Sequence, residues 1–282
     1  MKKEIDMAYS RMKGKSWKAR FQDIPKHRKI TFGLVFLALP VLFFVNLFVF
    51  SDVLALGDKY EDRYQMKKLR LETAHGNVEF VRSTNEKVQI EVLQTNSKER
   101  TVKVKAVGDT ISVVERFGRF SQFGSRPSES PSRYKIRVAL PSSMTSIDVT
   151  AEQVTGQGLI AKSIVLDANA VNLTKVESDR LRVETRSDVT LETVRVVQAD
   201  IRSYREASVR DIVVNQALTV QTEAGALTFE PRHATGQVNV NTGGSVTAAD
   251  RYNEIGGGVY QLSNSNRPTI HLIAETGKVE LK

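Results

Sequence analysis

The sequence predicts an all-β protein: a single N-terminal transmembrane helix followed by an extracytoplasmic β-solenoid or β-helix-like domain. Three observations predict it. An uncharged apolar run covers Ile30–Phe50, and the charge imbalance of the chain lies on its N-terminal side. Through the second half, a phrase of alternating apolar residues returns about every 17–20 positions. Long stretches with a 3.6-residue period are missing after the run, and Thr, Val and Ile abound, which favours strands over helices.

The run is 21 residues long. At about 1.5 Å per residue it reaches roughly 31 Å, the hydrocarbon thickness of a bilayer. Asn46 is its only strongly polar side chain, and Pro40 near its middle is tolerable in such a helix. Residues 1–29 carry ten Lys/Arg and three Asp/Glu, a net of +7, whereas residues 51–282 carry 31 and 29, a net of +2. That excess keeps the N-terminus in the cytoplasm and sends the C-terminal domain outside. The predicted organisation is a basic cytoplasmic leader (1–29), a transmembrane helix (30–51), a charged linker (52–65), a β-meander that begins and covers the array (66–140) and the repetitive rungs (141–282). A cleaved signal peptide is the rival reading, since Val53-Leu54-Ala55 offers small residues to a peptidase. The long leader, the long apolar run and Asp52 directly after it favour an uncleaved anchor.

Within the leader, Trp17, Phe21 and Ile24 stand among Lys13, Lys15, Lys18 and Arg20. These are candidates for contact with the anionic inner leaflet, at about 1 kcal/mol per basic residue. The alternative is a solvated topology determinant. Cysteine is absent, which excludes disulfides, thiol catalysis and Cys-ligated metals. The formal net charge of +9 suggests nucleic acid, but the leader holds most of it, so nucleic acid is not an expected partner.

The repeated phrase is clearest at Leu181, Val183, Thr185, Asp188, Val189 and Leu191. Two alternating apolar residues precede a small one, then Gly or Asp, then two more alternating apolar residues. It recurs at Leu69–Phe80, Leu218–Phe229, Val238–Val246 and Ile270–Leu281, with weaker copies from Ile147, Ile164 and Ala199. Period-two alternation predicts strands with one buried face. Val183, Val220 and Val240 then point inward, and Arg182, Gln221 and Asn239 outward. The Gly or Asp between the halves suits a corner with positive φ. Units this short bury their apolar face only by stacking, so the period predicts a solenoid. Before the repeats, strands are predicted at Lys67–Thr73, Asn77–Val81, Val88–Leu93, Thr101–Val107, Thr110–Glu115 and Tyr134–Leu140. If the rungs stack in chain order, Ile270–Leu281 is the last and offers an open edge. It is then covered internally, by Ala249–Pro268 or by earlier strands, or else it pairs with another copy of the chain.

Two interruptions are candidate contact sites. Arg116–Arg133 holds Phe117, Phe120 and Phe123 with Arg116, Arg119 and Arg126, followed by a Ser/Pro/Gly tract. Aromatic rings among guanidinium groups suit lipid, glycan or a protein partner; alternatively the rings pack on the array, or the whole loop is floppy. Ala249–Pro268 holds Tyr252, Tyr260 and Gly256-Gly257-Gly258, a weaker binding signal that also suits a flexible rung insertion.

The strands "KLRLETAHGNVEF", the strand ending in "YKIRVALP" and the rungs "LRVETRSDVTL" and "LTVQTEAGALTF" resemble the bacterial "putative adhesin" domain of unknown function, over about residues 66–282. The resemblance implies a β-solenoid fold and a cell-envelope location, often beside envelope-stress genes. It brings no functional residues. The usual rung of that family reads Ser/Thr-x-x-Gly-Asp, and here the Gly-Asp pair is broken up, as in Gly76-Asn77, Asp188-Val189 and Gly225-Ala226.

For catalysis, a β-helix enzyme needs paired carboxylates or an acidic metal cluster on one face. Asp148, Asp167, Asp188, Asp200 and Asp211 are candidates, but each belongs to a different rung with no repeated offset. His75, His233 and His271 lie far apart. No metal, P-loop or nucleophile motif occurs, and no cofactor is implied. The expected function is therefore a non-catalytic envelope scaffold that binds a partner protein or wall polymer. The alternatives are a polysaccharide-active lyase or hydrolase, and a sensor that relays an external state through the leader.

Overall fold

A computed structural model of the protein describes residues 51–282 except 63–64, 74, 95–99, 118–133, 234–235 and 262–267. The predicted leader and apolar run lie outside the described residues. Among the described residues every regular element is a strand, and no helix is long and apolar enough to cross a membrane.

Among the described residues nineteen strands join into one continuous sheet. The early ones are β1 (Ser51–Leu54), β2 (Lys59–Glu61), β3 (Lys68–Glu72), β4 (Gly76–Arg82), β5 (Gln89–Gln94), β6 (Arg100–Val107), β7 (Thr110–Phe117) and β8 (Tyr134–Leu140). β3 to β8 coincide with the six strands read from alternation to within two residues. Then come long strands that turn corners: β9 (Met144–Gln157), β10 (Ile160–Thr185), β11 (Val189–Ser203) and β12 (Ala207–Thr222). Short ones close the chain: β13 (Leu227–Pro231), β14 (Gln237–Thr242), β15 (Val246–Ala248), β16 (Asn253–Gly256), β17 (Val259–Gln261), β18 (Thr269–Ala274) and β19 (Val279–Leu281).

The rungs stack parallel and in register, so identical positions of the phrase form columns. On one wall Leu69 lies beside Ile147 and Ile147 beside Ile164. Further along, Leu181 lies beside Ala199, Ala199 beside Leu218, and Leu218 beside Ile270. The second wall continues each rung: Val154, Val171, Val189, Ala207, Leu227 and Val279 follow one another. All these side chains are buried. Full burial of each Val, Leu or Ile stabilises by about 1.5–3 kcal/mol. A third, shorter wall runs through Met144, Ala161, Ser178, Val196 and Val214, also buried. β10 is 26 residues long and passes through more than one turn. Its residues bond the chain just before and just after it, with Glu177 N donating to Leu159 O (2.8 Å) and Asn169 O accepting from Ser187 N (2.8 Å).

The small residue of each phrase sits where the first wall bends into the second. Thr73, Ala168, Thr185, Ser203, Thr222 and Ala274 are all buried there. The hydroxyls turn back to the corner backbone. Ser203 Oγ donates to Glu206 O (2.9 Å), Thr222 Oγ1 to Gly225 O (3.0 Å) and Thr73 Oγ1 to Gly76 O (3.4 Å). These three hydroxyls thus satisfy carbonyls that the turns leave over, whereas Thr185 Oγ1 donates to Arg202 O of the next rung (3.5 Å).

Two expectations are corrected. The corner glycines do not have positive φ; left-handed backbone occurs at the corner between the second and third walls, at Gly158, Lys175, Thr193 and Asp211. What Gly225, Gly277 and Gly244 provide is close approach. A Cβ on Gly277 would lie 1.8 Å from Gly225 O, and one on Gly225 would lie 2.2 Å from Arg205 O. Stacked turns there touch backbone to backbone.

The rungs also depart from chain order. β18 pairs with β12 on one side and β14 on the other; β19 pairs likewise with β13 and β15. The C-terminal phrase is therefore an internal rung, covered on both sides by earlier strands, which is one of the readings its pattern left open. The first phrase is tucked in similarly: β3 lies between β7 and β9, and β4 between β8 and β9.

Val183 and Val220 are fully buried and Val240 half-buried, while Arg182 is exposed and Gln221 and Asn239 are half-buried on the outer face. Replacing Val220 by Asp strands an unpaired carboxylate between Ile201 and Leu272 and should cost several kcal/mol. Asn172→Asp, exposed between Thr155 and Thr190, should be nearly silent. Thermal melts of both variants check the register; equal tolerance would show it to be wrong.

Candidate functional site

The predicted contact residues divide by location. Arg119, Phe120, Phe123 and Arg126 lie outside the described residues, as do Lys13, Lys15, Trp17, Lys18, Arg20 and Phe21 of the leader. The backbone of Arg116 and Phe117 ends β7, so the interruption leaves the sheet next to the first wall, which β7 joins through β3.

Tyr252 and Tyr260 are buried, at 7% exposure each. Their segment forms the β16–β17 hairpin, which turns at Gly256, Gly257 and Gly258, all with positive φ. β17 pairs antiparallel with β14 and closes that end of the stack. Tyr252 Oη donates to Lys282 O (3.3 Å), and burial pushes its hydroxyl pKa up to about 12.

The candidate carboxylates do not converge. Asp148, Asp167 and Asp200 lie on the outer face of the first wall, in two different columns and separate rungs. Asp200 pairs with Arg202 (3.4 Å). Asp188 sits at the corner, where it accepts from Glu206 N (3.2 Å) and lies 4.0 Å from Arg205. Asp211 is at the opposite corner. Among the described residues no three His, Asp or Glu side chains come together as a metal site.

The left-handed corner went unread in the sequence. Its signal is a break in the alternation. Leu173 and Val176, Leu191 and Val194, and Val209 and Ile212 are each separated by two residues rather than one. In each case the second of the two, Lys175, Thr193 or Asp211, takes a φ of 53–58°. Asp and Thr there form a clamp. Thr193 Oγ1 donates to Asp211 Oδ2 (3.0 Å), and Arg232 Nη2 donates to the same oxygen (2.6 Å). The Arg232 hydrogen bonds, followed by those of Thr193, hold the Asp211 carboxyl down at about 2, against 3.8 ordinarily.

Beside the clamp, two shallow grooves open on the third wall and share Ile160, Glu177 and Arg195. The larger, of about 530 Å³, is lined by Ser142–Thr145, Lys162 and Asp179 among others. The smaller, of about 440 Å³, holds Arg82, Lys175 and Arg195 around Gly158. On the second wall the outer face carries an uncharged column, Thr155, Asn172, Thr190, Ser208 and Thr228.

The parallel stack with its corner turns is the setting for comparison with known proteins. Residues 66–253 match the model of the Toastrack DUF4097 family. The chain belongs to that family. The matched segment ends before β18 and β19, although these two strands lie inside the stack it forms. Among solved structures, a putative adhesin from Bacteroides fragilis NCTC 9343 is similar, at 10% identity over 82% of this chain and 97% of that one, with a TM-score of 0.42. A putative cell adhesion protein from Clostridium sporogenes ATCC 15579 has 13% identity over 80% and 99%, with a TM-score of 0.32. A putative adhesin from Parabacteroides distasonis ATCC 8503 has 8% identity over 82% and 96%, with a TM-score of 0.38. Among curated proteins nothing matches.

The clamp predicts an acid effect with a definite sign. A carboxyl held lower in the folded than in the unfolded state stabilises above the unfolded pKa and loses that effect as pH falls through the folded one. The stability difference between the wild type and Asp211→Asn should therefore be constant above pH ~4 and shrink between ~4 and ~2. Denaturant melts across that range measure it; a difference that stays constant would show that Asp211 is not clamped.

Proposed function

We propose that this Toastrack chain is a non-catalytic, membrane-anchored cell-envelope protein. Its extracytoplasmic β-solenoid serves as a scaffold that binds a partner protein or wall polymer. The observation that carries the reading is the outer surface of the stack. In-register rungs place polar side chains in straight columns about 4.8 Å apart, the spacing of neighbouring strands. Such a surface is rigid and periodic, which suits an extended, repetitive ligand. The charged side chains on the first wall largely neutralise each other locally, as in Arg70–Glu72, Arg182–Glu184 and Arg202–Asp200. Such pairs contribute little to stability and form no acid–base constellation. The +7 leader and the 21-residue apolar run support the anchored topology.

Two measurements test this reading. Protease added to intact, wall-stripped cells should remove residues 52–282 and leave a small protected anchor. Gentle crosslinking of membranes should then retain an envelope protein or wall polymer on the domain. Full protection of the C-terminal domain from protease would contradict the topology, and a domain that crosslinks to neither would contradict the scaffold.

A further inference from the structure

The smaller groove differs in its charge from the larger one, where Lys162 and Arg195 face Glu177 and Asp179. Arg82 ends the first-phrase strand β4, Lys175 is the left-handed corner of β10, and Arg195 lies on the third wall in β11. Arg82 and Lys175 belong to the same corner column, with Gly158 between them. Phe80 is in register with Gly156, and Thr174 with Gln157. The Gly158 position faces the Arg82 Cβ at 3.6 Å, so no side chain fills the space between the two cations. Arg195 follows one rung after Lys175, two residues past the corner.

The three cations therefore span three rung spacings, roughly 14 Å. All three are exposed. Several cations elsewhere have a carboxylate two residues away and in contact, as in Arg182–Glu184 and Lys278–Glu280. Lys175 has Glu177 at that spacing, but the corner turns the two apart, and no ion pair forms between them among the described residues. Asp211 lies within electrostatic reach of Arg195, but its oxygens are already taken by Arg232 and Thr193. Among the described residues Glu177 is the one carboxylate lining the groove, against three cations.

We infer that this groove is an anion-binding site for a linear polymer, which it recognises through the phosphodiester or carboxylate oxygens along the chain. The inference rests on the wall-polymer arm of the proposed scaffold role and gives it residues and a ligand chemistry. Guanidinium forks at Arg82 and Arg195 match two-oxygen anions. Lys175 supplies a point charge between them. A concave surface with one sign of charge concentrates counter-charged ligands. Three weak contacts add up when a single polymer engages all of them. Glu177, which lies beside Arg195 in register, offsets part of its charge and limits the affinity.

The test uses the full chain in detergent micelles, titrated with poly(glycerol phosphate), polygalacturonate and neutral dextran. Wild type should bind at least one of the two polyanions in a salt-sensitive manner. The Arg82→Gln/Lys175→Gln/Arg195→Gln variant should bind that polymer about ten-fold more weakly. The Arg70→Gln/Arg182→Gln/Arg202→Gln variant removes the same charge from the first wall and should bind like wild type. Glu177→Gln should bind about two-fold more tightly, which keeps the test open if the triple groove variant fails to fold. Preference for poly(glycerol phosphate) identifies phosphodiester as the source, and preference for polygalacturonate identifies carboxylate. Equal weakening by both triple variants, or no response to Glu177→Gln, would overturn the groove assignment and leave the scaffold role standing. Failure of wild type to bind any of the three polymers would overturn the groove and remove the wall-polymer arm with it.

Discussion

The rungs of this protein lie one strand spacing apart and keep their inward columns aligned, with single register shifts at Val196/Gln198 and Arg210/Ile212, and the other features follow from that constraint. A parallel sheet is stable only where both of its faces are covered or compatible with water. Here one face is covered by the other walls of the same coil. The interior columns must therefore be apolar at every level, as they are from Leu69 through Ile164 to Leu218. Where one wall bends into the next, the column narrows to Thr, Ser or Ala. Its hydroxyls bond the corner carbonyls, so the bend buries small polar groups without leaving them unpaired.

The same constraint sets the two kinds of corner. Stacked turns between the first and second walls approach so closely that Gly225 and Gly277 have no room for a Cβ. At the next corner the chain gains its bend from left-handed backbone at Lys175, Thr193 and Asp211. Positive φ at a non-glycine residue is disfavoured, and at Asp211 the bonds from Thr193 and Arg232 offset part of that cost. Because this corner projects its side chains outward, the identities at its column decide the surface. Lys175 makes it cationic in the middle rungs, and the Asp211–Arg232 pair neutralises it further along.

The rungs and their inward faces were legible in the sequence because alternation and a period near 18 are local signals. Phrases such as Leu218–Phe229 and Ile270–Leu281 have the same pattern, so either can stack on the other. For the same reason the order of rungs at the ends was not legible. Pattern alone does not show that β18 enters between β12 and β14; the length of the intervening β14–β17 segment and its buried Tyr252 and Tyr260 are what make room for it. The positive-φ corner was legible only as a missed beat in the alternation. The cationic groove was not legible at all, because Arg82, Lys175 and Arg195 are distant in sequence and meet only when three separate rungs stack. The leader and the Phe117–Phe123 segment remain the sequence's own candidates for contact.

The most direct test of this architecture uses the absence of native cysteine. Thr219 lies beside His271, and His271 beside Asn239, on the outer face of the first wall. Cysteines placed pairwise at these positions should crosslink by oxidation or with a short bifunctional reagent when they occupy adjacent strands. The account predicts efficient crosslinking of Thr219→Cys with His271→Cys, and none of Thr219→Cys with Asn239→Cys. Efficient crosslinking of the 219–239 pair and none of the 219–271 pair would mean that the rungs stack in chain order, and would contradict it.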